Sequence, residues 1–405
     1  GNIAIGHQAL NSCRDDDADY NIAIGFEALE EATALGAKNI VIGYEAAGTA
    51  SGITASTSVI IGNQACSLGA LTVDNCVMIG NQAGQDAAAP TGLTAVGSYA
   101  AKEITNGEYN TAIGYGALQN NTTADKNIAI GHRALYTFNA LGVANEIDGD
   151  GQNTAVGYQA GFYNQTGKYN TYFGSLAGFG ADTATTGSYN TAIGQAAGKV
   201  LQGDANSNTF VGFAAGDTIT TGYDNIGIGR NTLGTATTAS YCIAIGNYAG
   251  DSISAADTDA NGSVFIGYNA GTAVTDGRYN TAVGYRALYT NQDGDKNTAI
   301  GWEALYNYEA ASGGEGNNTA VGYQAGYHND TGETNTYIGS QAGFGASGTN
   351  SGDGNTLVGH YAGNLIQGAG ASNTIVGAYA GDEITTGSDN VVVGTAAMSS
   401  ADTNE

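Results

Sequence analysis

The stretch Y-N-T-A-I-G-Y-G-A-L at Tyr109–Leu118 decides the fold, because its core returns along the entire chain. With the Asn of this motif numbered position 0, the 22 units begin at residues 2, 21, 39, 58, 76, 93, 110, 127, 153, 170, 190, 208, 225, 242, 263, 280, 297, 318, 335, 355, 373 and 390. Most spacings are 17 or 18 residues, and none is shorter than 17. Such a minimum with optional insertions is typical of stacked repeats. The sequence therefore predicts an all-β fold, a parallel β-solenoid or β-roll of 22 stacked coils of 17 or more residues.

Each column of the repeat has a physical interpretation. Position 0 is Asn in 17 units, position 1 is Thr, Ile or Val, and position 4 is Gly in all 22. Position 3 is Ile or Val and position 7 is Ala, each with one exception. Alternation over positions 1 to 3 predicts a short strand, the Gly column a turn with positive φ or no room for a Cβ atom, and the Asn column an amide ladder. Representative ladder residues are Asn110, Gly114, Ala117, Asn280, Gly284 and Ala287.

The middle residue of each strand bears on assembly. Position 2 is apolar or Gly in every unit and points away from positions 1 and 3. A strand that is apolar on both faces is usually covered on both. We therefore expect either a second layer within the same coil or another chain. Threonine runs at position 1, as at Thr154, Thr171 and Thr191, are interpreted as facing inward.

A longer repeat overlays the short one. The decapeptide at Tyr109 returns as Y-N-T-A-V-G-Y-R-A-L at Tyr279, 170 residues later. We interpret this as duplication of a ten-coil block, with copies at 110–279 and 280–405, inside a single elongated domain spanning 1–405. At about 4.8 Å per coil, 22 coils predict a rod of roughly 105 Å. Joining Glu405 to Gly1 of another copy would continue the 17-residue spacing, so we expect either end-to-end filaments or an excerpt of a longer array.

Composition and charge exclude several functions. Eleven Lys and Arg face 37 Asp and Glu, giving a net charge of −26, which disfavours nucleic acid and anionic membranes as partners. No apolar run is long enough to insert into a membrane. The four cysteines lack metal-ligand spacing, and a bridge between Cys66 and Cys76 is conceivable.

No catalytic set stands out, and the chain is predicted not to be an enzyme. His7, His132 and His360 fall at position 5, which Tyr otherwise fills, so they are interpreted as variants of a surface column. Aspartates at alternate positions in two inserted loops suit Ca²⁺ as a cofactor, although solvated turns explain them too. These candidate metal ligands are Asp148, Asp150, Asp293 and Asp295. Acceptor sequons for N-glycosylation occur at Asn120, Asn121, Asn164, Asn261, Asn317 and Asn329.

Many of the 25 tyrosines lie at position 5 or just before position 0, so they should stack into aromatic columns that contact sugars, contact a neighbouring rod or shield the coil corners. The motifs N-T-A-I-G-Y-G-A-L and N-T-A-V-G-Y-Q-A-G resemble the head repeats of trimeric autotransporter adhesins and repeats of phage and viral tail-fibre shafts. The resemblance covers essentially the whole chain and implies a homotrimer, although the adhesin coil is shorter.

The function that follows is an extracellular structural fibre or filament subunit with an adhesive role, on a cell or virion surface. Its expected partners are copies of itself, as an end-to-end filament or a homotrimer, and surface glycans. A trimeric tail-fibre or adhesin shaft that binds surface glycans is the alternative, and an ice-binding solenoid with flat threonine columns is a further one.

Overall fold

The structure, a computed structural model, describes residues 1–11, 19–30, 36–48, 55–68, 73–139, 151–181, 186–253, 262–310, 314–346 and 350–399. It confirms the predicted fold class, since every one of the 22 motifs forms a three-residue strand in a parallel β-solenoid. The chain divides into two compact units, Gly1–Ser207 and Asn208–Glu405. The prediction of a single elongated domain stays a prediction.

Each unit contains eleven strands. In the first unit they are β1 Ile3–Ile5, β2 Ile22–Ile24, β3 Ile40–Ile42, β4 Val59–Ile61, β5 Val77–Ile79, β6 Thr94–Val96, β7 Thr111–Ile113, β8 Ile128–Ile130, β9 Thr154–Val156, β10 Thr171–Phe173 and β11 Thr191–Ile193. In the second they are β12 Thr209–Val211, β13 Ile226–Ile228, β14 Ile243–Ile245, β15 Val264–Ile266, β16 Thr281–Val283, β17 Thr298–Ile300, β18 Thr319–Val321, β19 Thr336–Ile338, β20 Thr356–Val358, β21 Thr374–Val376 and β22 Val391–Val393.

Neighbouring strands within a unit pair in parallel, with equivalent positions opposite each other. In the first unit, for example, Thr94 lies opposite Thr111 and Ala95 opposite Ala112. The second unit repeats this register, with Thr281 opposite Thr298. Residues at one motif position therefore form a continuous column within each unit, which is why column chemistry rather than single residues determines each surface.

The strands bury position 2 and turn positions 1 and 3 outward. Ala112 is fully buried, whereas Thr111 is partly exposed and Ile113 is 37% exposed. The inward orientation predicted for the threonines at position 1 is therefore wrong. Position 2 instead packs inside its own coil, so positions 1 and 3 form the face that no second layer of the coil covers.

The Gly column is enforced by backbone contact between coils. Gly114 has a φ of +130°, and a Cβ atom built there would lie 2.6 Å from the carbonyl oxygen of Gly131 in the next coil. In the second unit the corresponding distance from Gly284 to the oxygen of Gly301 is 2.2 Å. Both predicted causes, positive φ and the absence of room, therefore operate together at position 4.

The buried columns at positions 2 and 8 compensate for each other in volume. Where position 2 is Ala, as at Ala112 or Ala282, position 8 is often Leu, and Leu118 and Leu288 are fully buried. Where position 2 is a large ring, position 8 is Gly, because a Cβ atom at Gly271 would lie 2.2 Å from the ring of Phe265. The coil interior therefore keeps an approximately constant volume, as close packing requires.

The predicted length of the duplicated block is wrong by one coil. The decapeptides at Tyr109 and Tyr279 introduce β7 and β16, which are nine strands apart, not ten. The miscount came from dividing 170 residues by the commonest spacing, since insertions lengthen several coils in between. The segment 110–279 therefore contains nine motifs.

Candidate functional site

The predicted amide ladder is confirmed, and it runs through the buried side of each strand's start. In the first unit the Oδ1 atom of Asn110 accepts from the backbone N–H of Asn127 at 2.9 Å and from its Nδ2 at 3.1 Å. Asn153 repeats both bonds on Asn127, at 3.1 and 3.2 Å. In the second unit Asn280 accepts in the same way from Asn297, at 2.9 and 3.1 Å. Each Asn thus satisfies a buried backbone donor of the next coil, a group that is costly to leave unpaired.

Cysteine and serine substitute within this column. The N–H of Ser58 donates to Asn39 Oδ1 at 3.0 Å, and the N–H of Cys76 donates to Ser58 Oγ at 3.2 Å. The three cysteines of the described residues are free and buried, so the conceivable bridge between Cys66 and Cys76 does not form. Burial raises the pKa of the Cys76 thiol to about 11 and that of Cys242 to about 11. Both remain protonated at neutral pH and are poor nucleophiles.

A second buried Asn column, which sequence reasoning missed, contains several of the glycosylation sequons. Asn121 donates from Nδ2 to the carbonyl of Ala124 at 2.9 Å and accepts from the Ala124 N–H at 3.0 Å. Asn164 makes the same pair of bonds with Gly167, at 3.1 and 2.9 Å, and Asn329 donates to a carbonyl three residues later at 2.9 Å. A glycan would replace a hydrogen of that buried amide, so we expect modification to disrupt the turn. The available signal was the constant offset of eleven residues from position 0.

The other sequons lie in different surroundings. Asn120 is half-buried, and Asn317 is exposed with its Nδ2 donating to Glu315 at 3.2 Å. Asn261 falls outside the described residues. Glycosylation at Asn120, Asn261 and Asn317 stays a prediction.

The predicted calcium ligands of the second unit act as hydrogen-bond acceptors. Asp295 Oδ1 accepts from the backbone N–H of Arg278 at 2.8 Å, and Asp293 Oδ1 accepts from the Thr275 hydroxyl at 3.3 Å. Among the described residues, no three His, Cys, Asp or Glu side chains are grouped so that they could hold a metal ion. The loop that contains the other two candidates, Asp148 and Asp150, and the fourth cysteine, Cys13, lie outside those residues.

The most extensive functional candidate is the face formed by positions 1 and 3, which we call the outer face. Its position 1 column is Thr in six successive strands of the second unit, from β16 to β21. Its position 3 column is Ile or Val, with Ile300 39% exposed and Ile338 41% exposed. Exposed apolar members of the face are Ile3, Ile5, Ile79, Ile113, Ile128, Phe173, Ile193, Ile226, Ile228, Ile300, Ile338, Val376, Val391 and Val393. Apolar patches of this extent on a protein surface commonly mark interaction sites.

Aromatic columns follow the outer face, as predicted. At position 5 of the first unit His132 stacks on Tyr115 at 5.3 Å and on Tyr158 at 5.4 Å. In the second unit Tyr285 stacks on Tyr268 at 5.6 Å and on Trp302 at 4.1 Å. Because neighbouring rings cover each other's faces, a column presents mainly ring edges and hydroxyls to solvent. His132 therefore behaves as a column member, in line with the sequence interpretation.

Arginines stack on these columns rather than pairing with acids. Arg286 lies with its guanidinium carbon 5.0 Å from the ring centre of Tyr285 and 5.5 Å from that of Tyr289. Arg133 makes the same arrangement in the first unit, 5.9 Å from Tyr115. Cation–π contacts of this kind hold the arginine flat along the coil surface.

Comparisons with known proteins leave the function open. No protein-family model matches the chain, and a search of curated proteins returns no match. In the described part of the chain there is no helix of the length and apolar character needed to cross a membrane.

Proposed function

We propose that this protein is a non-catalytic structural subunit of an extracellular fibre, on a cell or virion surface, and that it associates with copies of itself through the outer face. The observation that carries the proposal is the repeated, uncovered column of Ile and Val at position 3 beside Thr at position 1. The resemblance to adhesin heads and tail-fibre shafts supports the same role.

Periodicity favours a second copy as the occupant of the outer face. Eleven strands about 4.8 Å apart give the face of one unit a length of roughly 50 Å. Across positions 1 to 5 the strand and its flanking rings add a width on the order of 15 Å at about 3.3 Å per residue. The resulting area is close to the roughly 800 Å² per partner of a specific interface. Another copy presents the same column spacing, so its side chains fit every coil in register.

Charge also favours apolar association on this face over association elsewhere. The chain carries a net charge of −26, which makes two copies repel each other at long range. The strands that form the outer face contain only uncharged residues, from Ile3–Ile5 to Val391–Val393. Copies that meet there bury apolar area while the acidic residues stay in solvent. Whether copies also join end to end stays a prediction.

The test is the assembly state of the purified chain, measured by sedimentation velocity and electron microscopy. We expect multimers or fibres for the native chain. Ile300→Lys places a charge on the outer face and should return the protein to single chains. Asn317→Lys is the matched control, because Lys occupies the equivalent position at Lys296 and Lys126. A native chain that remains a single species at every concentration would overturn the proposal.

Two further functions rest on particular surfaces. Surface glycans are proposed partners of the tyrosine columns, where hydroxyl groups and the stacked arginines provide polar contacts, and a glycan array tests this directly. The outward threonine column removes one sequence argument against ice binding, since hydroxyls on successive coils lie in register. Thermal hysteresis of the single-chain variant Ile300→Lys and of the native chain would support that function, and freezing without hysteresis would exclude it.

A further inference from the structure

Two tyrosines of the second unit meet at their hydroxyl groups. Tyr223 lies before β13 and Tyr241 before β14, and their ring centres are 5.1 Å apart with planes inclined by 79°. The Tyr241 hydroxyl lies 3.4 Å from that of Tyr223. Both side chains are accessible, at 40% and 54% exposure. The contact is therefore open to small oxidants and to the surface of an enzyme.

The backbone holds this contact in place. The N–H of Tyr241 donates to the carbonyl of Tyr223 at 3.1 Å, which ties one coil to the next beside the rings. Tyr241 also has a left-handed φ of +60°, fixed by the turn that leads into β14. The two phenols thus stay neighbours without relying on side-chain contact alone.

Phenols in this arrangement are suited to oxidative coupling. Loss of one electron and one proton from a tyrosine leaves a phenoxyl radical with spin density on the two ring carbons next to the hydroxyl-bearing carbon. Because the two hydroxyls are in contact, these ortho carbons of Tyr223 and Tyr241 also lie near each other. Two radicals formed here would meet without diffusion of either chain segment.

We propose that Tyr223 and Tyr241 are a modification site, at which a peroxidase using hydrogen peroxide joins successive coils through a dityrosine bond. Each phenol gives up one electron and one proton, and the peroxide takes both pairs to become two molecules of water. A carbon–carbon bond then forms between the ortho carbons, and the hydrogen on each of these carbons moves to the phenol oxygen, which restores both rings. The inference rests on the proposed fibre, because extracellular material is where such an oxidant acts.

The other tyrosines provide internal comparisons. Tyr169 and Tyr189 stack face to face, with centres 5.0 Å apart and planes inclined by 10°. Tyr109 is 56% exposed, more than either member of the proposed pair, yet no ring contact is recorded for it. Exposure alone therefore predicts oxidation at Tyr109, whereas the geometry predicts coupling at Tyr223 and Tyr241.

The experiment treats the full chain, at high dilution, with a haem peroxidase and limiting hydrogen peroxide. Dityrosine fluorescence and mass spectrometry of digested protein then locate the coupled peptides. We expect an intrachain product joining the peptides of Tyr223 and Tyr241, lighter by two hydrogen atoms than their sum. Tyr223→Phe and Tyr241→Phe keep the rings but should each reduce this product to the background of untreated protein. Tyr109→Phe should leave it unchanged.

Each outcome decides the proposal. If Tyr241→Phe retains the product, or if intrachain coupling spreads evenly over all exposed tyrosines, the assigned pair is wrong. If the native chain gives only interchain products at every dilution, coupling within the chain is also refuted. Sedimentation of the untreated protein tests the fibre separately, so a single-chain protein that still couples at this pair would remove the fibre and leave the modification site.

Discussion

The Gly column offers the sharpest test of how the coils are held together. In Gly284→Ala the new Cβ atom would lie 2.2 Å from the carbonyl oxygen and 2.6 Å from the carbonyl carbon of Gly301. These atoms belong to the backbone, so the coils must separate or the strand must shift. Overpacking of this kind costs about 1–3 kcal/mol, and a side chain forced to a φ of +140° adds on the order of 1–3 kcal/mol. We therefore expect Gly284→Ala to lower the free energy of unfolding by roughly 2–6 kcal/mol.

Two other glycines separate these contributions. Gly394 has a φ of +133°, but the nearest atom to an added Cβ is that of Ala397 at 3.8 Å. Gly394→Ala thus retains the conformational cost and loses the contact between coils. Gly203 has a φ of +44° and nothing within 4 Å, so Gly203→Ala should cost only about 1–2 kcal/mol.

The assay is denaturant unfolding followed by circular dichroism, with amide hydrogen exchange to localise the effect to β16 and β17. Exchange is needed because the stability of stacked repeats is close to a sum over neighbouring coils. If Gly284→Ala costs no more than Gly394→Ala, the contact between the glycine backbones does not matter and the explanation of the column fails.

The remaining predictions concern the buried columns and one acid. Asn297→Ala should cost about 1–3 kcal/mol by leaving a buried N–H of the next coil unpaired, and Asn297→Ser should cost less in the same denaturation series. Ala282→Leu and Leu288→Gly should each destabilise, whereas a double-mutant cycle should show partial compensation. Burial, with Asp217 nearby, raises the pKa of Asp251 above its ordinary 3.8. Ionised Asp251 therefore destabilises the fold, so Asp251→Asn should stabilise it at neutral pH, with the gain vanishing as pH falls through the raised pKa.

The strands could be predicted because each of their constraints repeats in every unit. A single Gly such as Gly114 is ambiguous, but a Gly in all 22 units at one offset indicates a backbone contact that no side chain can replace. The same holds for the Asn column, where Asn110 and its equivalents satisfy one donor per coil. Repetition makes the periodicity readable even though each strand has only three residues.

The direction of the strand faces could not be predicted from alternation alone. Period-two alternation states that positions 1 and 3 share a face, not which face is inside. Ala at position 2 suggested little, since Ala fits both environments. The deciding information was the inverse relation between positions 2 and 8, visible as Ala282 with Leu288 and Phe265 with Gly271, because only two side chains that share one interior must balance each other's volume.

The second Asn column was missed for a related reason. Asn121 and Asn164 belong to sequons, and a sequon suggests an exposed loop. Their offset of eleven residues from position 0 places them instead where other coils have a buried aliphatic side chain, such as Ile104 or Ile219. An amide fits that position only because it bonds to the turn three residues ahead. Column membership is therefore a stronger guide to burial in this chain than a local motif is.

These constraints also indicate where function must lie. Positions 0, 2, 4, 7 and 8 are committed to hydrogen bonds between coils, backbone contact or a fixed interior volume, so their chemistry varies little without loss of the coil. The outer face and the rings at position 5 carry no such obligation, and yet they remain uniformly Thr, Ile or Val and largely aromatic, as at Thr298, Ile300 and Trp302. Exposed apolar columns are unfavourable in water unless they are covered. Their persistence from coil to coil therefore favours a partner with the same period, and a second copy of this chain has that period.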